Sequence, residues 1–342
     1  MVRGPEAEPL PSGSLIQSRS VVALHRIRTE PLDIPLENAT SLLDSISLTF
    51  VMGCPRSGTT FLLRCLAGLP RTQSYAGILI PDRLCHVIGN EGPSSLADDI
   101  LHSCRAVLWK TFVTSILSRR YHLRRAIREP KSAWSAARIL FGWSPVSLGD
   151  FGMVYKEPFL AMAASAFARH FARARFIHLI RDGRDCADSL ERAYGAALSD
   201  EVLDARGSRW REVGSEIGVG REHAGVIVPW WVPVEHSRQF LDAPRYERYL
   251  WLWRECVTRA RSSEAVAGGR YLEVRYEELC ANPVGEGKRL LDFIGVHESR
   301  RFRKRLTAAR SSSIGIGRES FGNGEGKVWK PITELLRELG YA

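Results

Sequence analysis

The sequence predicts an α/β chain: a three-layer fold with a central, mainly parallel β-sheet flanked by helices, and a helical insertion. Three observations carry that expectation. Short, apolar, partly β-branched runs recur along the chain. Each is followed by a stretch whose apolar residues have helical spacing. A glycine-containing loop joins the first such run to the first helix. Strands alternating with helices imply right-handed crossovers, which leave neighbouring strands parallel.

Residues 1–45 read as a polar tail and lead-in, and 46–342 as the domain. The first strand is Ile46-Ser47-Leu48-Thr49-Phe50-Val51-Met52, followed by a turn-rich loop and a helix over 59–69. Met153-Val154-Tyr155 reads as a second strand, with an Ala- and Phe-rich helix running to about residue 172. Residues 175–180 form a third strand and 183–194 a helix. Between about 194 and 264 the signals are helical with little strand, so this stretch reads as the insertion. Its residues 243–261 carry an apolar stripe on Tyr246, Leu250, Trp253 and Val257. The apolar run at 226–233 reads as core, a dimer face or the wall of an acceptor pocket. A fourth strand at 271–275 and a helix at 283–294 follow.

The chain has 342 residues, 44% hydrophobic and 25% charged, which excludes a disordered, collagenous or fibrous protein. Its 48 basic and 38 acidic residues leave a formal net charge of +10. That excess points to an anionic partner. Seven Cys, an odd number with no C-x-x-C pair, argue against a disulfide framework or a structural zinc site. There is no signal-peptide core and no apolar run of membrane-spanning length. The expected location is cytoplasmic, with no transmembrane segment.

The strongest single feature is Gly53-Cys54-Pro55-Arg56-Ser57-Gly58-Thr59-Thr60. Between a strand and a helix, successive backbone N–H groups and the helix N-terminus point at an anion. This makes the fold P-loop-like. The spacing matches G-x-x-x-x-G, but Thr59-Thr60 replaces the Lys-Ser/Thr of a nucleotide-hydrolysing loop. A cation, Arg56, lies inside the loop instead. Arg181 ends the third strand and is followed by Asp182-Gly183-Arg184-Asp185 and, eight residues on, by Ser189. Arg181 and Ser189 can close on a second anionic group. Asp182 or Asp185 can equally serve the helix N-terminus.

Together Pro55-Arg56-Ser57-Gly58-Thr59-Thr60 and Arg181…Ser189 resemble the sulfotransferases that use 3′-phosphoadenosine-5′-phosphosulfate (PAPS). The resemblance implies that the first loop holds the 5′-phosphosulfate and that Arg181 and Ser189 hold the 3′-phosphate. Arg275-Tyr276-Glu277-Glu278-Leu279 is similar to the family's strand-end segment, whose Tyr lies near the nucleotide. Gly326-Lys327-Val328-Trp329-Lys330-Pro331 is similar to its C-terminal basic loop, here about 311–331, which covers the cofactor. Tyr155-Lys156-Glu157-Pro158-Phe159 resembles the Lys-Asp-Pro-Phe segment of the Golgi and bacterial branch, which includes the tyrosylprotein sulfotransferases. The implied cofactor set is Pro55, Arg56, Ser57, Gly58, Thr59, Thr60, Arg181, Ser189, Tyr276, Lys327 and Lys330. Arg56 and Lys156 are implied to face the sulfuryl group. PAPS is the implied co-substrate and PAP the product, with no metal. The acceptor is a small molecule, glycan, lipid or peptide, and the protein a monomer or homodimer.

An acceptor hydroxyl needs a general base. In that branch a Glu about twenty residues after the loop Arg serves, but residues 74–79 contain no carboxylate. The cytosolic branch uses a Lys-x-His segment, and Trp109-Lys110-Thr111 lacks the His. Asp82, His86 and Glu157 are the remaining candidates. Two other functions compete with sulfuryl transfer. A P-loop kinase or NTPase would need the missing Lys and a metal-binding Asp where Arg181 stands. A nucleic-acid binder would use the basic runs at 119–125 and 300–305. Both runs have helical spacing and read as solvated faces, so nucleic acid is not the expected partner.

Overall fold

Burial on both faces selects the strands. A computed structural model of the protein describes residues 43–77, 79–128, 133, 134, 138, 148–203, 220–321 and 328–341. Strand β1, Ser47–Met52, is buried from Leu48 onward. It lies at the centre of a sheet completed by β2 (Thr72–Ala76), β3 (Gly152–Lys156), β4 (Arg175–Ile180) and, later in the chain, β7 (Tyr271–Arg275). The order is β2-β3-β1-β4-β7 and every pairing is parallel. Two further strands, β5 (Gly220–His223) and β6 (Val226–Pro229), form a separate antiparallel hairpin.

Alternation along β1 builds two cores. Leu48, Phe50 and Met52 join Met153, Tyr155, Phe176 and Ile180 on one face. Val51 joins Val154, Ile177, Leu179 and Val274 on the other. The helices are α1 (Thr59–Leu66), α2 (Asp82–Glu91), α3 (Ser95–Leu117), α4 (Arg119–Arg128), α5 (Ala164–His170), α6 (Gly183–Tyr194), α7 (Ser237–Asp242), α8 (Arg245–Ser262), α9 (Tyr276–Ala281), α10 (Pro283–Ile294), α11 (Arg300–Leu306), α12 (Ile316–Phe321) and α13 (Lys330–Glu338), with shorter turns between them. Helices α3, α5 and α8 cover the first face, and α1, α10 and α11 the second. This is the three-layer parallel α/β architecture the sequence predicts. Phe50 anchors the first core. Its ring stacks on Phe176 at 5.3 Å and meets Phe171 and Phe167 edge-on at 5.1 and 5.6 Å. Truncation of such a residue to Ala costs about 3–5 kcal/mol.

Three elements differ from expectation. Residues 72–76, polar on average, form the edge strand β2, held by its parallel ladder with β3. The stretch at about 194–264, expected to be helical, contains the β5–β6 hairpin as well as α7 and α8. In the apolar run at 226–233, Val228, Trp231 and Val232 are buried, so it is mainly core. Helix α1 ends at Leu66, a turn earlier than its apolar spacing suggests.

The chain leaves β1 in one direction along the sheet, towards β2, and leaves β3 in the other, towards β4. In such sheets the crevice beyond the carboxyl ends of those two strands is the place for a ligand. The loop at 53–58 and Lys156 both sit there. Among the described residues no helix is long and apolar enough to cross a membrane. All seven cysteines are free thiols.

Candidate active site

The loop after β1 is built to keep backbone close to its contents. Gly53 has φ +150°, and a Cβ there would lie 2.3 Å from the Leu179 carbonyl oxygen. Gly58 has φ +100°, and a Cβ there would lie 2.7 Å from the Tyr276 ring. Only glycine fits either position. Between them Arg56 takes φ +72°, a costly backbone state for a side chain of that size. The Ser57 N–H closes a turn onto the Cys54 carbonyl at 3.1 Å. Helix α1 then begins, and its first N–H groups have no carbonyl partner within the helix. The Ser57 hydroxyl is buried, with no hydrogen-bond partner among the described residues.

Arg56 is exposed but held: its Nε donates to Ser189 Oγ at 3.0 Å. Ser189 lies on α6, so this bond joins the first loop to the helix that follows β4. The resemblance paired Ser189 with Arg181. In the structure its partner is Arg56, and Arg181 reaches the same loop through Nη1, 3.4 Å from the Arg56 carbonyl. The Arg181 guanidinium is nearly buried and lies 5.0 Å over the Tyr276 ring. Its Nη2 donates to the Ser313 carbonyl and is 3.4 Å from Asp185. Its Nε has no partner among the described residues. A buried guanidinium N–H and a buried hydroxyl, both unsatisfied, fit an anionic occupant.

The residues after Arg181 are scaffold. The Asp182 carboxylate accepts from the Arg184 N–H and binds the Arg184 guanidinium. Asp185 accepts from Gly315 N–H at 2.9 Å and Gly317 N–H at 2.8 Å. Thus Asp182 is the helix cap the sequence suggests, while Asp185 pins residues 313–317 against Arg181. Arg184 also donates to the Tyr341 carbonyl, tying in the last turn of the chain.

Tyr276 is buried, donates its hydroxyl to the Arg310 carbonyl at 3.0 Å, and its phenol is pushed up by burial. It meets Phe61 edge-on at 6.3 Å. Beside them opens a cavity of about 550 Å³, lined also by Arg64, Cys65, Arg305 and Arg310. Sequence reasoning missed Phe61, Arg64 and Arg310. It placed Arg305 in a plain basic run. The cavity lining comes from three segments far apart in sequence, so no local spacing marks it.

Lys156 ends β3 opposite Val51, beside the loop. Glu157 is buried and accepts the Phe159 N–H at 3.1 Å, which caps the short turn Pro158–Ala163. Its other oxygen faces Gly77, where a Cβ would stand 3.5 Å away. His86, on α2, is buried with its ring 4.9 Å from Phe159. Asp82 opens α2, and its side chain lies outside the described part. Lys327 lies outside the described residues. Lys330 is exposed and paired with Glu334 at 3.5 Å on its own helix, with no contact to the loop among the described residues. The neighbouring Trp329 instead anchors this segment, stacked on Trp251 at 3.7 Å.

The switch-point loop of this parallel sheet carries Thr59 where a nucleotide-hydrolysing loop has Lys, and a cation, Arg56, within the loop. Residues 49–213, just under half of the chain, match the family model described as "Sulfotransferase family". No curated protein matches the chain by sequence. Among solved structures, the chain is similar to the sulfotransferase domain from the curacin biosynthetic pathway, at 15% identity, TM-score 0.44, and coverage of 87% of this chain and 98% of that one. It is similar to the sulfotransferase domain of the Synechococcus PCC 7002 olefin synthase, at 16% identity, TM-score 0.44, and coverage of 86% and 95%. It is also similar to sulfotransferase STF9 from Mycobacterium avium, at 16% identity, TM-score 0.39, and coverage of 92% and 88%.

Proposed function

We propose that this protein is a sulfotransferase that takes its sulfuryl group from PAPS and passes it to a hydroxyl of a small-molecule, lipid, sugar or peptide acceptor. One observation carries the reading. Two separate anion sites, the 53–60 loop with Arg56 and the Arg181 guanidinium, converge on one end of the sheet. A donor with a 5′-phosphosulfate and a 3′-phosphate needs two such points. The cavity between Phe61 and Tyr276 supplies an aromatic wall for its purine.

Sulfuryl transfer, like phosphoryl transfer, rests on positioning and charge. The acceptor oxygen attacks sulfur in line, the bond from sulfur to the bridging oxygen breaks, and that oxygen leaves on the 5′-phosphate of PAP. Arg56 and Lys156 neutralise charge that develops on the bridging and sulfuryl oxygens. Ser57, Gly58, Thr59 and Thr60 hold the 5′-phosphate, and Arg181 the 3′-phosphate. Glu157 takes the acceptor proton, since its carboxylate stands at the end of β3 beside Lys156 and the open Gly77.

The test is PAP binding by titration calorimetry with the full chain, followed by a screen of hydroxylated acceptors with labelled PAPS. Arg181→Ala is expected to weaken PAP binding far more than Arg238→Ala, whose side chain is 92% exposed. Equal effects from the two, or Mg²⁺-dependent ATP turnover, would sink the reading.

A further inference from the structure

Helix α4 presents an outward face that the transfer chemistry does not use. Its inner side is anchored. His122 is fully buried and its Nε2 lies 2.7 Å from the Ile116 carbonyl, while Tyr121 meets Phe151 edge-on at 6.0 Å. On the side away from those two residues stand Leu123, 56% exposed, and Ile127, 74% exposed. They are four residues apart, so they form one stripe, with the exposed Arg124 beside it. The helix sequence holds five Arg and no Asp or Glu. Trp134, a few residues further on, is 70% exposed.

Charge and shape together narrow the partner. A helix with five arginines and no carboxylate calls for an anionic surface. Nucleic acid would take the arginines and leave the two aliphatic side chains in water. A folded acidic protein would need a matching groove for a narrow, convex ridge. A bilayer accepts both features without shape matching: aliphatic side chains enter the boundary between headgroups and acyl chains, and arginines meet lipid phosphates.

We propose that α4 seats the protein on an anionic membrane surface, with Leu123 and Ile127 inserted and the exposed Arg124 beside them on a lipid phosphate.

Co-sedimentation of the full chain with vesicles tests this. Binding is expected to vesicles rich in phosphatidylglycerol and not to pure phosphatidylcholine. The double variant Leu123→Ser/Ile127→Ser should lower partitioning by at least about tenfold, the scale of losing two partly buried aliphatic groups. Arg124→Gln should lower it roughly fivefold, and Arg238→Gln, on another surface, hardly at all. In an Ile127→Trp variant, indole emission should shift to shorter wavelength on addition of the anionic vesicles. Unchanged binding by the double variant would reduce the effect to the overall charge and overturn the proposal. So would absence of vesicle binding at low salt, an Ile127→Trp emission blind to vesicles, or preferential capture by duplex DNA that ignores Leu123 and Ile127.

Discussion

Arg56 and Ser189, 133 residues apart in sequence, are joined by a 3.0 Å hydrogen bond from the arginine Nε to the serine hydroxyl. The bond fixes the plane of a guanidinium that is otherwise exposed on a strained loop residue. It leaves the two terminal nitrogens of Arg56 available to an anion while setting where they point.

That geometry predicts graded losses. Arg56→Ala removes a charge-directed donor and is expected to lower the sulfuryl-transfer rate roughly a hundred- to thousandfold. Arg56→Lys keeps the charge but loses the forked geometry and the tie to Ser189, so it should recover only part. Ser189→Ala should cost less than Arg56→Ala. Steady-state rates for the three variants check the order.

Gly53 predicts a backbone effect. A Cβ there meets the Leu179 carbonyl at 2.3 Å, and the φ of +150° is unsuited to any other residue. Gly53→Ala should therefore destabilise the fold by at least about 1–3 kcal/mol. A Cβ at Gly269 meets nothing within 4 Å, so Gly269→Ala should stay within about 0.5 kcal/mol of the parent. Urea unfolding compares the two.

His178 predicts a pH dependence of stability. It is fully buried in β4, 2.7 Å from the Tyr271 hydroxyl. Burial pulls its imidazole down from 6.5 to about 4, against the opposing pull of Glu273. The unfolded chain therefore binds the proton first as pH falls. Stability should be full above about pH 6.5 and should decline as pH drops towards about 4. A fall of about 2.5 pH units at roughly 1.4 kcal/mol each amounts to roughly 3–4 kcal/mol. Unfolding free energies across that range should show the slope, and His178→Phe should flatten it.

Asp185 predicts a local release. Its carboxylate holds the N–H groups of Gly315 and Gly317 and faces Arg181. Asp185→Ala strands two donors, the Gly317 N–H buried and the Gly315 N–H partly so, and a buried donor left unsatisfied costs about 1–3 kcal/mol. Amide exchange at residues 315–321 should rise well before exchange in β4 or β1. Unchanged protection there would show that the segment is held by something else.

Much of this arrangement is legible in the residues. Strand β4 and helices α6 and α10 fall where apolar spacing puts them, because each buries a continuous face and has a local stop, such as Gly295 after α10. Strand β2 escapes because Thr72-Gln73-Ser74-Tyr75-Ala76 has no apolar run. Its strand character comes from the ladder it makes with β3, a contact some eighty residues away. The β5–β6 hairpin turns through Ala224 and Gly225, both with positive φ, a short signal hidden beside the longer apolar run that follows. At the site, the 53–60 loop and Arg181 are readable because each is a local strand-to-helix motif. The Arg56–Ser189 bond and the Phe61–Tyr276 cavity are not, since they exist only once separate crossovers bring their ends together.

The free thiols give the fold a built-in reporter. Six of the seven cysteines are buried, and only Cys280 is partly open to solvent. It shares the Arg310 carbonyl with the Tyr276 hydroxyl, at the rim of the 550 Å³ cavity. A thiol reagent added to the folded protein should thus mark a single position, and one next to the cavity. The rate of that labelling becomes an optical gauge of cavity occupancy that needs no engineered cysteine and no knowledge of the acceptor.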